Sequence, residues 1–432
     1  MDIPFETHAV KKKQTQKTDA QVLMEFLDSM PNEVKEFPNT RFSSTSKTFV
    51  RKLFRNIYDA DEQWNKTDTV IDYVPIEFGS GSSSSWWGKD PSYLDPSVKQ
   101  VIENLDKVGI VYSFSIVSGG VKREISVTIV GSQTRLNENT GLFEDVIKKV
   151  YLWTSVAFSH APAHCSQNLC IYLYLTDLKK ALPAKKGEPI TQMHANTAFT
   201  TACKKDADIY VFRYEEWFKV LIHETFHCLG LDFSHIDNER TRDTILKLFP
   251  VNSDVNLSET YCEVWAELFN TLFVVFSQNN RGGIEEMVLM TEDYLDMERL
   301  FSLFQSCKVL HYFDVPYEEL FHKECDTLEK KEARKSKFRE QTNVLSYYII
   351  KCILLFSIDD FLKWCHRHNR PAYSIQFNTS CLEEYCGLVK ALHLRPEFLQ
   401  AKARMGRLVG DKAGGGGGGD YAMRTLRMTV IE

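Results

Sequence analysis

Apolar and polar positions along the chain switch repeatedly between helical and strand periods, and the first and last stretches are mainly helical. The first seventy or so residues mix charged runs with amphipathic pieces, Ala20 to Met30 and Thr48 to Tyr58, whose spacing predicts helices. From Gly109 the period shortens towards two. Ile110 to Val117 and Glu124 to Val130 are rich in β-branched and aromatic residues around Ser118-Gly119-Gly120, which predicts a hairpin. Leu142 to Phe158 returns to helical spacing, Leu169 to Leu175 and Ile209 to Arg213 read as buried strands, and Leu182 to His194 reads as a loop containing Pro and Lys.

An amphipathic helix is expected from about Glu215 to Leu229, and beyond Gly230 the pattern is mainly helical. Helices are predicted near Ser258 to Ser277, Glu285 to Phe304, Thr342 to Phe356 and Asp359 to Arg367. Strands followed by helices make the class α+β. The expected division is an N-terminal helical or irregular region (1–78), a Ser/Gly-rich loop (79–90), a core with a mixed sheet (91–277), a helical C-terminal subdomain (278–405) and a flexible Gly-rich tail (406–432). The six glycines of Gly414 to Gly419 lead to the last expectation, because ordering them costs much backbone entropy. Trp86 and Trp87 follow the Ser/Gly-rich run. They suit a loop docked on an apolar surface, or a flap over a substrate.

Composition narrows the function classes. At 43% hydrophobic and 25% charged residues the chain is of ordinary globular type. Its net charge of -6 offers no footprint for nucleic acid, and the basic runs Lys11 to Lys13 and Lys330 to Arg339 read as solvated faces. Eleven cysteines without a CxxC pair point to reduced thiols, and the polar start of the chain lacks a secretory h-region. The longest apolar runs, Leu268 to Phe276 and Tyr347 to Phe356, are too short for a membrane span. An intracellular, cytoplasmic location without membrane or nucleic-acid partners is therefore the expectation, and oligomeric state stays open.

The chemistry centres on His223-Glu224-Thr225-Phe226-His227. Histidines four apart project from one helix face about a turn apart, so both imidazoles can reach one zinc ion. Glu224, beside them, is placed to act as general base on a water and then as acid to the leaving amine. Trp217, Val220, Leu221, Phe226 and Leu229 make the helix a buried one, where two histidines and a glutamate need a partner. Gly230 suits a left-handed C-cap. The metzincin extension HExxHxxGxxH stops there, because Phe233 stands at its last position and His235 comes two residues late.

Downstream, Ser258 is a candidate N-cap before Glu259, Glu263 and Glu267, an acidic stripe at four-residue spacing. With the upstream HExxH, Glu263-Val264-Trp265-Ala266-Glu267 resembles the ligand helix of gluzincins, a branch of the zincin metallopeptidases. Glu259-Thr260-Tyr261-Cys262-Glu263 matches it nearly as well. The resemblance covers roughly Gly109 to Ser277. It implies a zincin-like fold, Zn2+ held by His223, His227 and either Glu263 (preferred) or Glu259, and hydrolysis of a protein or peptide substrate. It also implies substrate pairing with a strand at Asn196 to Thr200 and an oxyanion stabiliser, for which Tyr347 and Tyr348 are candidates and Tyr348 is carried forward. A catalytically silent zincin fold used for binding, or a helical interaction protein with a fortuitous motif, are the competing classes.

Overall fold

The computed structural model describes residues 17–66, 71–78, 85–88, 94–236, 239–279, 282–321, 327–414 and 421–432. Residues 1–16, with the basic run at Lys11, lie outside that set, as do 79–84 of the Ser/Gly-rich loop and Gly415 to Gly419.

Six strands form one mixed sheet: β1 (Asp72–Pro75), β2 (Lys107–Ser118), β3 (Val121–Ser132), β4 (Asn168–Tyr174), β5 (Ala198–Thr200) and β6 (Asp206–Val211), in the order β1-β2-β3-β4-β6-β5. The predicted hairpin joins β2 to β3 with Ser118 opposite Val121. Its two turn residues, Gly119 and Gly120, both have positive φ (56° and 78°), as a two-residue primed turn requires. β3, β4 and β6 run parallel, and β5 returns antiparallel at the edge, with Ala198 opposite Val211.

Alternation along the strands separates two apolar layers. Leu169, Ile171 and Leu173 of β4 join the main core, which helices cover. Tyr172 and Tyr174 face the other way, into a smaller cluster with Tyr210, Phe212 and Val130. Trp86 and Trp87 stack at 4.3 Å and pack on Tyr174, with ring centroids 6.3 and 5.7 Å away. The docked-loop expectation describes their position.

The helix Leu142–Phe158, the helix Trp217–Cys228 that carries the two histidines (the motif helix) and the helix Leu257–Gln278 that carries the acidic stripe (the glutamate helix) fill the main layer. Large aromatics lock them together. Trp153 lies 4.7 Å from Phe269 and 6.1 Å from Phe226, and Phe226 lies 6.3 Å from Trp265. Each buried ring of this size contributes roughly 2 to 3 kcal/mol, so the crossing of the two site-bearing helices is well fixed. The predicted C-terminal helices are present as Ile284–Tyr312, Leu345–Phe356 (its first six residues π-helical) and Ile358–His368. The same core takes side chains from Leu23 through Ile431, so it runs across the boundary expected at 277/278. Among the described residues no helix is long and apolar enough to cross a membrane.

Two expectations need correction. Cys165 and Cys203 form a disulfide, whereas reduced thiols were expected throughout. The flexible tail expected over 406–432 is also replaced. A helix runs Pro396–Gly414, and beyond the glycine tract Arg427 to Ile431 are buried in the core. This strap is held by ionisable side chains. Glu298 accepts from Thr429 Oγ1 (2.5 Å), Val430 N (3.0 Å) and Ile431 N (2.9 Å). Glu216 accepts from the amides of Met428 and Thr429, both at 2.6 Å, and Lys351 Nζ donates to Met428 O at 2.9 Å. A segment that satisfies its backbone groups in this way stays buried at little polar cost.

Candidate metal centre

The motif helix begins at Glu216, in the left-handed region (φ 58°), and ends at a glycine cap. Gly230 has φ 64°; its amide donates to His227 O (3.1 Å), and the amide of Leu231 donates to Phe226 O (2.9 Å). This paired arrangement ends the helix in a tight turn, as the sequence predicts. It also brings Asp232 back alongside the helix.

His223 and His227 lie one turn apart with their Nε2 atoms 3.1 Å from each other. The carboxylate that joins them is Glu259: its Oε2 is 3.1 Å from His223 Nε2 and its Oε1 is 3.5 Å from His227 Nε2. Glu263, the preferred third ligand of the sequence reading, sits on the far side of the ring. Its Oε1 is 3.0 Å from His223 Nδ1, off the line of a straight hydrogen bond, and its Oε2 pairs with Lys219 Nζ. Four residues advance a helix by about 400°, so the three stripe glutamates step round by about 40° each. They reach three different places, and Glu267 meets Lys351 Nζ at 2.9 Å.

On the other histidine, Asp232 Oδ2 is 2.6 Å from Nδ1 of His227. Asp232 was not anticipated; its position five residues past His227, just beyond the capping glycine, was the available signal. Both rings thus have a carboxylate at Nδ1, which favours the proton on that nitrogen. Both Nε2 lone pairs then face each other and a third acceptor, Glu259, in a buried site. Three acceptors directed at one place repel unless a cation lies between them. Without a metal, protons must take that role. Burial opposes charging His223, but its hydrogen bonds to Glu259 and Glu263 prevail and raise its pKa to about 9. Burial likewise opposes charging His227, yet the nearby Cys262, Glu259 and Asp232 raise it well above the usual histidine value. Glu259 is pulled well below the carboxylate range by the two histidines despite its burial.

Two other groupings bring potential ligands together. In His227, Asp232 and Cys262, the thiol pKa is pushed well up by burial, so it stays protonated, and the His227–Asp232 hydrogen bond already accounts for the contact. In His164, Cys165 and Cys203 the disulfide consumes both thiols. His235 joins none of these groups.

The centre opens into a cleft of about 770 Å³. Glu224 lines it, with burial raising its pKa against the pull of the two histidines. Edge strand β5 contributes Ala198, Phe199 and Thr200, so the segment expected to pair with substrate borders the centre. The tyrosine assignment changes. Tyr348 donates to Leu426 O (2.6 Å) of the buried strap, and it is Tyr347 that lines the cleft and donates to Glu259 Oε2 at 2.9 Å. Successive helix residues point about 100° apart, and only one of the pair can face the centre. Burial, with Glu259 next, holds the Tyr347 phenol well above its ordinary pKa, so it remains a donor.

No protein-family model, curated protein or solved structure matches this chain.

Proposed function

We propose that the protein is a zinc-dependent peptidase in which His223, His227 and Glu259 hold the metal. One observation carries this reading: each histidine has a carboxylate within 3.0 Å of its Nδ1, hydrogen-bonded in the case of His227, while the two Nε2 atoms and the Glu259 carboxylate converge. Two nitrogens and one oxygen on two crossing helices form a three-donor set that suits zinc and leaves a fourth position for a reactant. Zinc bound there would supply Lewis acidity, acidifying a water and polarising a carbonyl.

The chain's own residues would do the rest. Glu224 has a raised pKa and lies in the cleft wall, which suits it to take a proton from water and return one to the leaving amine. Asp232 and Glu263 fix the two rings and keep their outward nitrogens free of protons. Tyr347 replaces Tyr348 as the donor to charge developing on the substrate oxygen. Strand β5 is last in the sheet order and borders the cleft, where an extended peptide could add as a further strand.

Glu224→Gln tests the reading. The variant should keep one equivalent of zinc and lose hydrolysis of a peptide mixture, because it removes the base and leaves the metal donors intact. Loss of zinc together with activity would make Glu224 a structural residue, and unchanged activity would refute the assignment of the base.

A further inference from the structure

We infer that the cleft selects substrates bearing a positive charge next to the cleaved bond, a basic side chain or a free α-ammonium, and that Glu340 receives it. The inference rests on the peptidase reading and concerns what that site accepts.

The charge of the cleft wall is one-sided. Besides Glu224 and Glu259, which face the metal centre, its lining carries Glu340 and Asp254, and among the described lining residues there is no lysine or arginine. Asp254 has an exposed partner, Arg242, at 3.6 Å; a solvated pair of this kind contributes little, and Arg242 does not line the cleft. The remaining lining is mostly neutral amide and hydroxyl groups such as Gln192, Asn252 and Asn343. Among the described lining residues no lysine or arginine is present to pair with a terminal carboxylate.

Glu340 is built into this wall. The backbone on either side of it pairs with Ile190: Ile190 N donates to Arg339 O (3.1 Å) and Gln341 N donates to Ile190 O (2.9 Å). Two residues on, Thr342 Oγ1 donates to Asn196 Oδ1 (2.8 Å), tying the segment to the chain that leads into β5. One carboxyl oxygen, Oε2, accepts from Leu345 N (3.0 Å), whereas Oε1 is buried near the Ser253 hydroxyl and the Val344 amide without a well-formed hydrogen bond to either. A carboxylate oxygen left this way is unfavourable until a donor reaches it. Burial, joined by the charge of Asp254, pushes the Glu340 pKa up to about 8, against the hydroxyl of Ser253 and the amides of Val344 and Leu345. An ammonium or guanidinium in the cleft would reverse that balance by pairing with the ionised form.

The probe is an alanine-based octapeptide with lysine, norleucine or glutamate scanned through its positions, each made with a free and an acetylated N-terminus. Affinity is measured by calorimetry on zinc-loaded Glu224→Gln, and kcat/KM on the zinc-loaded wild type. At one position lysine should bind about 10- to 100-fold more tightly than norleucine, and glutamate should bind more weakly than either. Adding Glu340→Gln should erase the lysine preference and leave norleucine binding unchanged. Sensitivity to acetylation assigns the charge to the α-ammonium; insensitivity assigns it to the side chain. Equal binding of lysine and norleucine peptides, or a lysine preference that survives Glu340→Gln, overturns the inference. If Glu340→Gln does not fold, because Oε2 also holds Leu345 N, the lysine-to-norleucine ratio in wild type still decides. Charge-blind cleavage would remove the selectivity and leave the peptidase reading standing. A Glu340-dependent preference in binding without any cleavage would remove the peptidase reading and leave the selectivity standing.

Discussion

The two ends of the motif helix both meet buried ionisable groups, and they use them in opposite ways. At its N-terminal end, Glu216 and Lys180 pair at 2.8 Å, and Glu216 also holds the amides of Met428 and Thr429. Every charge there is answered by another charge or by backbone of the C-terminal strap. At its C-terminal end, His223, His227 and Glu259 turn acceptors towards one another, and among the described residues lining the cleft no lysine or arginine answers them. A buried polar cluster that closes on itself is structure; one that closes only around an added cation is a site.

The contrast breaks most sharply at Glu259. Glu259→Ala should weaken zinc binding by more than about 100-fold, beyond the usual 10- to 100-fold effect of a residue that supports a ligand. Glu263→Ala and Asp232→Ala should fall within that smaller range, because each frees one ring rather than removing a donor. Glu267→Ala should leave affinity nearly unchanged and reduce stability, since it strips the partner from buried Lys351. Competition titrations with a chromophoric chelator would rank the four variants. If Glu263→Ala proves the most severe, zinc is bound through a different arrangement of the stripe.

The sequence exposed the motif helix, the hairpin and the acidic stripe because each is a local pattern: a four-residue spacing, a period of two around paired glycines, a repeat of glutamates. It did not decide between Glu259 and Glu263. That choice depends on how the glutamate helix is rotated where it crosses the motif helix, and long-range aromatic packing through Phe226 and Trp265 sets that rotation. Tyr347 and Tyr348 were inseparable for the same reason. Asp232 was hidden because only the fold of the turn after Gly230 brings it back to His227 Nδ1. The strap was misread because a glycine tract signals disorder locally, while its anchors, Glu216, Glu298 and Lys351, lie far away in sequence and look like ordinary surface charges.

The strap supplies the next test of the comparison. Glu298 is fully buried, and burial, reinforced by neighbouring Glu267, holds its pKa well above the carboxylate range, so it sits in the core as a neutral acid. Glu298→Ala leaves two strap amides and the Thr429 hydroxyl without their acceptor and should destabilise the protein by about 3 kcal/mol or more. Glu298→Gln keeps an acceptor oxygen and adds no charge, so it should cost much less. Urea unfolding of both variants would measure the difference, and equal losses would show that the carboxyl is ionised in the folded protein.

The smallest effect expected is a dependence of stability on pH in the metal-free protein. His223 has a folded-state pKa of about 9, against roughly 6.5 when unfolded. A group whose pKa is raised by folding adds stability that is fully present below the unfolded value and is lost as pH rises through the folded one. Metal-free protein should therefore lose stability between about pH 6.5 and pH 9, on the order of 2 kcal/mol, as the acceptors around the centre lose the proton that reconciles them. His227, also raised, changes in the same direction. On the proposed reading zinc would displace those protons and serve the same acceptors, so the loaded protein should show no such loss, and zinc affinity should climb with pH over the same interval. Chemical denaturation at pH 6.5 and pH 9, with and without zinc, gives the comparison. A metal-free protein equally stable at both values would mean that neither ring holds a second proton in its folded state, and that the convergence of acceptors costs less than their distances imply.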